Sequence, residues 1–168
     1  VATNKNNILD RFFKTGTYKI DKVHSTISPS MDIQIASNFE RLLYDINNYD
    51  GKKVSELMNG LNKKGKIKVN KECFTIAKNS FTSFSINEKE TKKRIKDTYD
   101  HFNIVIDPHT AVGLEAASQY LKNQQEGIVV TLATAHPSKF SESVRQILGF
   151  DPELPYDYNN IIAKSARQ

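Results

Sequence analysis

The sequence predicts an α/β protein that contains part of a parallel β-sheet with helices packed beside it. Three observations support this prediction. The apolar run at residues 128–133 stops abruptly at polar residues, as a strand buried on both faces does. A shorter apolar stretch, residues 104–106, stops in the same way at Asp107, and a helical pattern follows each stretch. Because this alternating order implies parallel strands with right-handed crossovers, we expect a βαβα unit over about residues 104–149.

The composition limits the class of protein. The chain has 168 residues, 38% of them hydrophobic and 26% charged, with a net charge of +5. This is enough for one domain with a hydrophobic core, and it argues against disorder. No apolar run approaches the roughly 20 residues that cross a bilayer, so no membrane is expected. The single cysteine, Cys73, excludes an internal disulfide framework and fits a cytoplasmic location.

The first residues suggest that the chain is a fragment. Val1 is not preceded by Met, and residues 1–7 resemble the end of a buried strand that runs directly into a polar cluster. We therefore expect residues 1–168 to be one piece of a longer protein. Residues 8–36 lack a clear period and predict irregular structure, with a short extended piece at residues 17–20.

A helical region is predicted over about residues 37–102. Ser37 and Glu40 have the spacing of a capping box, in which each side chain satisfies the other residue's backbone N–H. The helix that they begin carries apolar residues at helical spacing, namely Phe39, Leu42, Leu43 and Ile46. A second helix is predicted over about residues 53–61, and a short extended piece over residues 66–69.

Asparagines precede the next two predicted helices. Asn70 is expected to cap the first of them, whose inner face would contain Cys73, Phe74 and Ala77. Asn87 and Glu90 form a second capping-box pattern. The inner face of that helix would contain Thr91, Ile95, Thr98 or Tyr99, and Phe102. Between the two helices, Phe81, Phe84 and Ile86 predict a buried connector.

The remaining elements complete the βαβα unit. A helix after Pro108 should extend to about Asn123, with Val112, Ala116 and Tyr120 inward. Pro137 suits the first turn of the helix after the second strand, where its missing N–H has no intrahelical partner. Gly149 has the position of a C-terminal cap. A last short helix is predicted near residues 158–163.

Polar residues follow three of these apolar stretches. Asn4 follows the first, Asp107 follows the second, and Thr134 and His136 follow the third. If the strands are parallel, these side chains share one sheet edge, where ligands bind in open α/β sheets. Each residue alone has a simpler interpretation, because Asp107 and His136 could merely cap the helices that follow them.

Other chemistries are less well supported. No pair among Cys73, His101, His109 and His136 has the spacing of a zinc site, so no metal is expected. The chain contains neither a glycine-rich phosphate loop nor a G-x-S-x-G elbow. Seven lysines and one acidic residue, Glu56, occupy residues 52–71. A solvated helix face explains this run, and a basic nucleic-acid-binding domain is the alternative.

Five phrases resemble a known family. They are ATNKNNIL (residues 2–9), FFKTGTY (12–18), SPSMDIQIASNFERLLYD (28–45), DPHTAVGLEAA (107–117) and LATAHPSKF (132–140). In this order they are similar to threonine synthase, in its longer bacterial and fungal branch. The resemblance covers nearly the whole chain and implies that it is the C-terminal part of such an enzyme.

The resemblance implies a fold and a reaction. The family has the tryptophan-synthase-β type of fold (fold type II) and uses pyridoxal 5'-phosphate (PLP), which a lysine holds as a Schiff base. It converts the small-molecule substrate O-phospho-L-homoserine and water to L-threonine and phosphate. Another PLP-dependent β/γ-elimination or replacement enzyme of the same fold is the alternative within this class.

The resemblance assigns a role to one residue of this chain. In the family, the threonine at the position of Thr134 donates a hydrogen bond to the pyridine nitrogen of PLP. Asn4, Asp107 and His136 are candidates for the same edge without a defined role. The family's Ser-Phe-Lys-Asp and Gly-Asn-x-Gly phrases, which supply the Schiff-base lysine and the phosphate loop, are absent. We therefore assign no catalytic residue here and expect the chain alone to be inactive.

Overall fold

The structure, a computed structural model, describes residues 1–123 and 127–155. The strands are β1 (Ala2–Thr3), β2 (Thr17–Lys19), β3 (Lys66–Lys68) and β4 (Phe84–Ser85). The helices are α1 (Ile8–Thr15), α2 (Phe39–Ile46), α3 (Gly51–Lys64), α4 (Lys71–Ser80), α5 (Glu88–Phe102), α6 (Pro108–Asn123) and α7 (Ser141–Leu148). Two short 3-10 helices lie at Pro29–Met31 and Pro137–Phe140. No helix in the described part is both long and apolar enough to span a membrane.

Parallel pairing joins the beginning of the chain to its middle. β1 lies parallel to β4, with Ala2 opposite Phe84 and Thr3 opposite Ser85. β2 and β3 form a separate antiparallel pair. Helices lie beside both pairs, so the predicted α/β class with a parallel sheet and flanking helices is confirmed.

The largest core lies between the first four helices and the β2–β3 pair. The ring of Phe12, which is fully buried, meets Phe39 edge-on with their centroids 4.7 Å apart. Tyr18 stacks on Phe39, with the ring centroids 4.5 Å apart. Aromatic pairs in these geometries stabilise a core by about 0.5–1.5 kcal/mol beyond their buried area. The core therefore attaches the short β2 strand firmly to α2.

Several predicted helix ends are confirmed. The side chain of Asn70 accepts a hydrogen bond from the backbone N–H of Cys73 at 2.8 Å, which caps α4. Asn87 and Glu90 form the full capping box at the start of α5. Gly149, at φ +85°, ends α7 in the left-handed conformation. These features depend on residues within one helical turn of each other, and a local pattern is enough to predict them.

The predicted cap of α2 and the predicted start of α3 are wrong. No side chain caps α2 at Asn38, so the expected box of Ser37 and Glu40 does not form. α3 begins earlier than predicted because the carboxylate of Asp50 accepts hydrogen bonds from the backbone N–H groups of Lys52 and Lys53, at 3.0 and 3.1 Å. An acidic cap can begin a helix several residues before its apolar stripe becomes visible.

The prediction of irregular structure over residues 8–36 is wrong at α1. This helix ends at Gly16, whose left-handed φ of +68° allows its N–H to bond the carbonyl of Phe12. An ion pair one turn apart, Lys14 to Asp10 at 2.8 Å, lies along it. The spacing of Ile8 and Phe12, with a glycine after the last turn, is the signal that could have identified this helix.

The two predicted strands of the βαβα unit are not paired. Residues 104–106 and 128–133 have no ladder partner in the described part of the chain. Ile128 is 95% exposed, and Val130 and Leu132 are more than three-quarters exposed, so the described residues do not bury this run. Hydrophobicity predicts that a segment can be buried, whereas a strand also needs a neighbour that accepts and donates hydrogen bonds.

Other differences are smaller. Phe81 and Phe102, expected to be inward, are exposed: Phe81 follows the last residue of α4, and Phe102 is the last residue of α5. α6 follows the predicted helix to Asn123. The short helix expected near residues 158–163 lies outside the described residues. The division into a helical insertion and a βαβα unit stays a prediction.

Gly16→Ala should destabilise the protein more than Gly65→Ala. Both glycines have left-handed backbones, at φ +68° and +65°, where a Cβ costs about 1–2 kcal/mol. A Cβ at Gly16 would also lie 3.1 Å from Cγ of Phe74, whereas a Cβ at Gly65 meets nothing within 4 Å. The free energy of unfolding, measured in urea, should fall by about 1–3 kcal/mol more for Gly16→Ala. Equal losses would contradict the packing argument.

Candidate functional site

A cavity of about 980 Å³ opens between the β1–β4 pair, α6 and the extended residues 129–134. This volume is typical of sites for small molecules. Its described lining, called the cavity wall below, consists of Val1, Ala2, Ser30, Met31, Asn79, Ser80, Phe81, Thr82, Phe84, His109, Gly113, Ala116, Ala117, Tyr120, Val129, Val130, Thr131, Leu132 and Thr134.

Thr134 is the one predicted site residue that lies on this cavity wall. It is solvent-exposed at the end of residues 128–134, in the position where the sequence placed a strand end. Its hydroxyl is both a donor and an acceptor, so it can pair with a ring nitrogen in the cavity. Its role toward a cofactor stays a prediction.

The cavity wall carries no charged side chain of aspartate, glutamate, lysine or arginine among its described residues. Its polar side chains are hydroxyls, one amide and one imidazole: Ser30, Asn79, Ser80, Thr82, His109, Tyr120, Thr131 and Thr134. Aromatic and aliphatic side chains such as Phe81, Phe84 and Leu132 supply the rest. Such a surface suits an uncharged or aromatic part of a ligand, and it offers a phosphate no lysine or arginine side chain.

Asp107 reaches the cavity only through a neighbour. It is 1% exposed and caps α6, accepting hydrogen bonds from the backbone N–H of His109 at 2.8 Å and from the hydroxyl of Thr110. Its Oδ1 also lies 3.0 Å from Nδ1 of His109. Asp107 therefore caps α6, as the simpler interpretation of the sequence expected. It also contacts the imidazole of His109, which capping alone does not require.

His136 lies on the surface and caps the Pro137–Phe140 3-10 helix. Its Nδ1 accepts from the backbone N–H of Ser138 at 3.3 Å and lies 2.7 Å from the hydroxyl of the same residue. The side chain is not among the described lining of the cavity. Both contacts with Ser138 are local to the turn, as expected of a helix-capping residue.

Asn4 is buried in a polar network centred on Asp32, not on the cavity wall. Oδ1 of Asp32 accepts from Nδ2 of Asn4 at 2.7 Å, from Nδ2 of Asn6 at 2.9 Å and from Oγ1 of Thr26 at 2.7 Å. Oδ2 accepts from the backbone N–H of Thr26 at 2.8 Å. Charge-assisted hydrogen bonds of this kind are stronger than neutral ones. We call these four residues the Asp32 network.

The Asp32 network positions one side of the cavity. It joins the end of β1 to the irregular residues 20–36, and Asn4 also donates to Oγ of Ser28 at 3.0 Å. The Pro29–Met31 3-10 helix follows immediately, and Ser30 and Met31 lie on the cavity wall. Asn4 therefore affects the cavity through the position of this turn.

Tyr18 fixes the other end of the same irregular segment. Its hydroxyl accepts from the backbone N–H of Ala36 at 2.9 Å and lies within hydrogen-bond distance of the Gln34 carbonyl, at 3.3 Å. Burial raises the pKa of the Tyr18 phenol, and the hydrogen bond from Ala36 opposes that effect. The phenol thus remains a neutral structural donor well above neutral pH.

His109 is a residue of the cavity wall to which the sequence alone assigned no function. Its Nε2 accepts from the backbone N–H of Ser30 at 3.2 Å, and its ring lies 4.7 Å from that of Phe140, centroid to centroid. The signal in the sequence is weak, since it is only the position of a histidine in the first turn of α6. The contact with Ser30 spans 79 residues and is a product of the fold.

Gly113 allows α6 to approach the extended residues closely. A Cβ at this position would lie 3.0 Å from Cγ2 of Thr131, closer than side chains normally pack. The segment that ends in Thr134 therefore lies at a distance from α6 that only glycine permits without movement.

In the described residues, no group of three His, Cys, Asp or Glu side chains could hold a metal ion.

Comparison with known proteins identifies a consistent set of relatives. Residues 110–168 match a family model described as "Threonine synthase, C-terminal". A threonine synthase of Pseudomonas aeruginosa is 39% identical over 168 residues, which cover 99% of this chain and 36% of that protein. One of Saccharomyces cerevisiae is 40% identical over 164 residues, covering 88% of this chain and 32% of that protein.

The fold is similar to a solved structure. A PLP-bound threonine synthase from Brucella melitensis superposes with a TM-score of 0.88 at 34% sequence identity. The match covers 98% of this chain and 35% of the solved chain. The chain therefore spans about a third of the length of the relatives that it matches.

Asp32→Asn should destabilise the protein by about 1–3 kcal/mol, because one of the two oxygens becomes an NH2 group that faces donors already in place. Urea unfolding of this variant and of Asp100→Asn gives the comparison. Asp100 is an exposed carboxylate of α5, and its substitution should change stability by less than about 0.5 kcal/mol. Similar losses in the two variants would show that the Asp32 network contributes little.

Gly113→Ala should displace residues 129–134 without unfolding α6. Alanine stabilises a helix by up to about 1 kcal/mol relative to glycine, so the melting temperature should stay the same or rise. Its Cβ should nevertheless displace Thr131 and disturb the cavity, seen as weaker ligand binding. Thr131→Ser removes the clashing Cγ2 and should restore binding in the double variant. Failure of this rescue would contradict the proposed clash.

Proposed function

We propose that this chain, which belongs to the threonine synthase family, supplies the part of a PLP-dependent enzyme that holds the pyridine-nitrogen side of the cofactor. The reaction would convert O-phospho-L-homoserine and water to L-threonine and phosphate. One observation carries the proposal: Thr134 lies on the wall of a cavity whose described lining has no aspartate, glutamate, lysine or arginine.

The cavity wall fits one end of PLP better than the other. The ring is aromatic, and its nitrogen needs a hydrogen-bond partner, which a threonine hydroxyl can be. The phosphate needs cations or several backbone N–H groups, and no described side chain of the wall is a cation. We therefore expect the phosphate and the Schiff-base lysine to be held by other parts of the enzyme.

PLP, when bound, supplies an electron sink for the carbanion formed from the substrate. Thr134 would donate its hydroxyl proton in a hydrogen bond to the ring nitrogen and orient the ring. A carboxylate in that position would favour a protonated nitrogen, because opposite charges stabilise each other. A neutral hydroxyl does not, and so the strength of the sink is moderated. The aromatic and aliphatic side chains of the wall would pack against the ring.

The exposed apolar residues suit contact with other parts of the same enzyme. Ile128, Val130 and Leu132 project an apolar surface that a finished domain would bury. Since the relatives are about three times as long as this chain, we expect residues 128–133 to find strand neighbours in the rest of the enzyme. The predicted parallel sheet would then extend beyond the β1–β4 pair.

The remaining elements of the proposal are a small-molecule substrate and a cytoplasmic location. The second agrees with Cys73, a buried thiol that forms no disulfide. No observation favours another PLP-dependent elimination, since the relatives from Pseudomonas aeruginosa and Saccharomyces cerevisiae are threonine synthases. Nucleic-acid binding is also not favoured, because Val54, Leu57 and Met58 pack α3 against the core and leave its lysines as a solvated face.

Thr134→Val should weaken PLP binding and slow turnover in the enzyme that contains this chain. Valine keeps the shape and removes the hydrogen bond, so we expect the dissociation constant of PLP to rise about five- to ten-fold. Thr134→Ser, which keeps a hydroxyl, should remain close to the wild type. The measurements are PLP titration by absorbance and phosphate release from O-phospho-L-homoserine.

Thr75→Val is the matched control, because Thr75 is exposed on α4 and its hydroxyl donates to the Lys71 carbonyl within the helix. This variant should bind PLP as the wild type does. Normal PLP affinity and kinetics in Thr134→Val would remove Thr134 from the cofactor site.

A further inference from the structure

The hydrogen bonds around His109 determine where its proton lies. A backbone N–H can only donate, so the 3.2 Å contact from Ser30 requires an unprotonated Nε2. In a neutral imidazole the proton is then on Nδ1, which lies 3.0 Å from Oδ1 of Asp107 and donates to it. If Nε2 carried the proton, its N–H would face the backbone N–H of Ser30, and two donors cannot hydrogen-bond to each other. Asp107 therefore favours the one tautomer that can hold Ser30.

His109 also connects two sides of the cavity. Its side chain is 8% exposed and that of Asp107 is fully buried, so neither can reorient freely. One edge of the imidazole bonds to Ser30 in the Pro29–Met31 3-10 helix, while the ring packs on Phe140. Phe140 ends the Pro137–Phe140 3-10 helix, which begins three residues after Thr134. The same ring thus contacts the segment before α2 and the segment that carries Thr134.

We propose that His109 is a positioning residue for the proposed reaction: Asp107 holds its proton on Nδ1, and its Nε2 and ring set the distance between the Ser30 turn and the segment of Thr134. This inference rests on the proposed function, because it concerns the same cavity. It assigns Asp107 an indirect role, through the orientation and tautomer of His109. Neither residue is required to exchange a proton with the substrate.

Two substitutions separate the two hydrogen bonds of His109. Glutamine is long enough to place its amide oxygen near the position of Nε2, where it can accept from Ser30. Asparagine reaches only the position of Nδ1, where its NH2 group can donate to Asp107. If the Ser30 contact matters for positioning, His109→Gln should resemble the wild type more than His109→Asn does.

The experiment measures the two variants in the complete PLP-bound enzyme by hydrogen exchange and by steady-state kinetics. In His109→Asn the Ser30 amide should exchange about ten-fold faster, because it loses its acceptor. KM for O-phospho-L-homoserine should rise about five-fold, with a smaller change in kcat, since a displaced wall weakens binding more than chemistry. His109→Gln should keep the Ser30 exchange rate and KM within about two- to three-fold of the wild type.

His101→Asn and His101→Gln are the controls, because His101 is an exposed residue of α5 that bonds the Asp97 carbonyl. Both should leave the exchange of Ser30 unchanged. Equal effects of the Asn and Gln variants at His109, or normal KM despite faster Ser30 exchange, would overturn the positioning role. A wild-type enzyme that releases no phosphate would instead refute the proposed function, and the exchange rates would still decide whether His109 holds the turn.

Discussion

The cavity depends most on the hydrogen bonds that the carboxylate of Asp32 accepts. Residues 20–36 contain only one short 3-10 helix, so backbone hydrogen bonds alone hold this segment weakly. Asp32 replaces them with four side-chain acceptor contacts, which connect Asn4 and Asn6 at the end of β1 to Thr26. An irregular segment can form a defined wall only when such a group satisfies its polar atoms and limits its freedom.

Further contacts connect this segment to the other sides of the cavity. Ser30 bonds His109, which belongs to α6, and His109 packs on Phe140. Gly113, one turn further along α6, lets the segment of Thr131 approach closely. Each contact joins parts of the chain that are distant in sequence, so the fold as a whole brings the sides of the cavity together. Substitutions far from a bound ligand can therefore alter its site.

The distribution of charge explains how such a surface would share a cofactor with the rest of an enzyme. Its described side chains include no aspartate, glutamate, lysine or arginine, whereas a phosphate needs cations or oriented N–H groups. A division of the site, with the ring on one part and the phosphate on another, is common in large α/β enzymes because their ligands bind between strand ends of separate units. Val130 and Leu132 are exposed on the same surface, and they have no strand partner among the described residues.

The sequence by itself determined the α/β class, most helices, and the caps at Asn70, Asn87 and Gly149, because each depends on residues within a few positions. It also placed Thr134 at the end of an apolar run. Only the tertiary structure decided that residues 128–133 have no strand partner among the described residues and that Asn4 belongs to the Asp32 network. It also showed that His109 meets Ser30. Periodicity measures which face of a segment is apolar, but strand pairing and buried hydrogen bonds require partners that the fold brings from far along the chain.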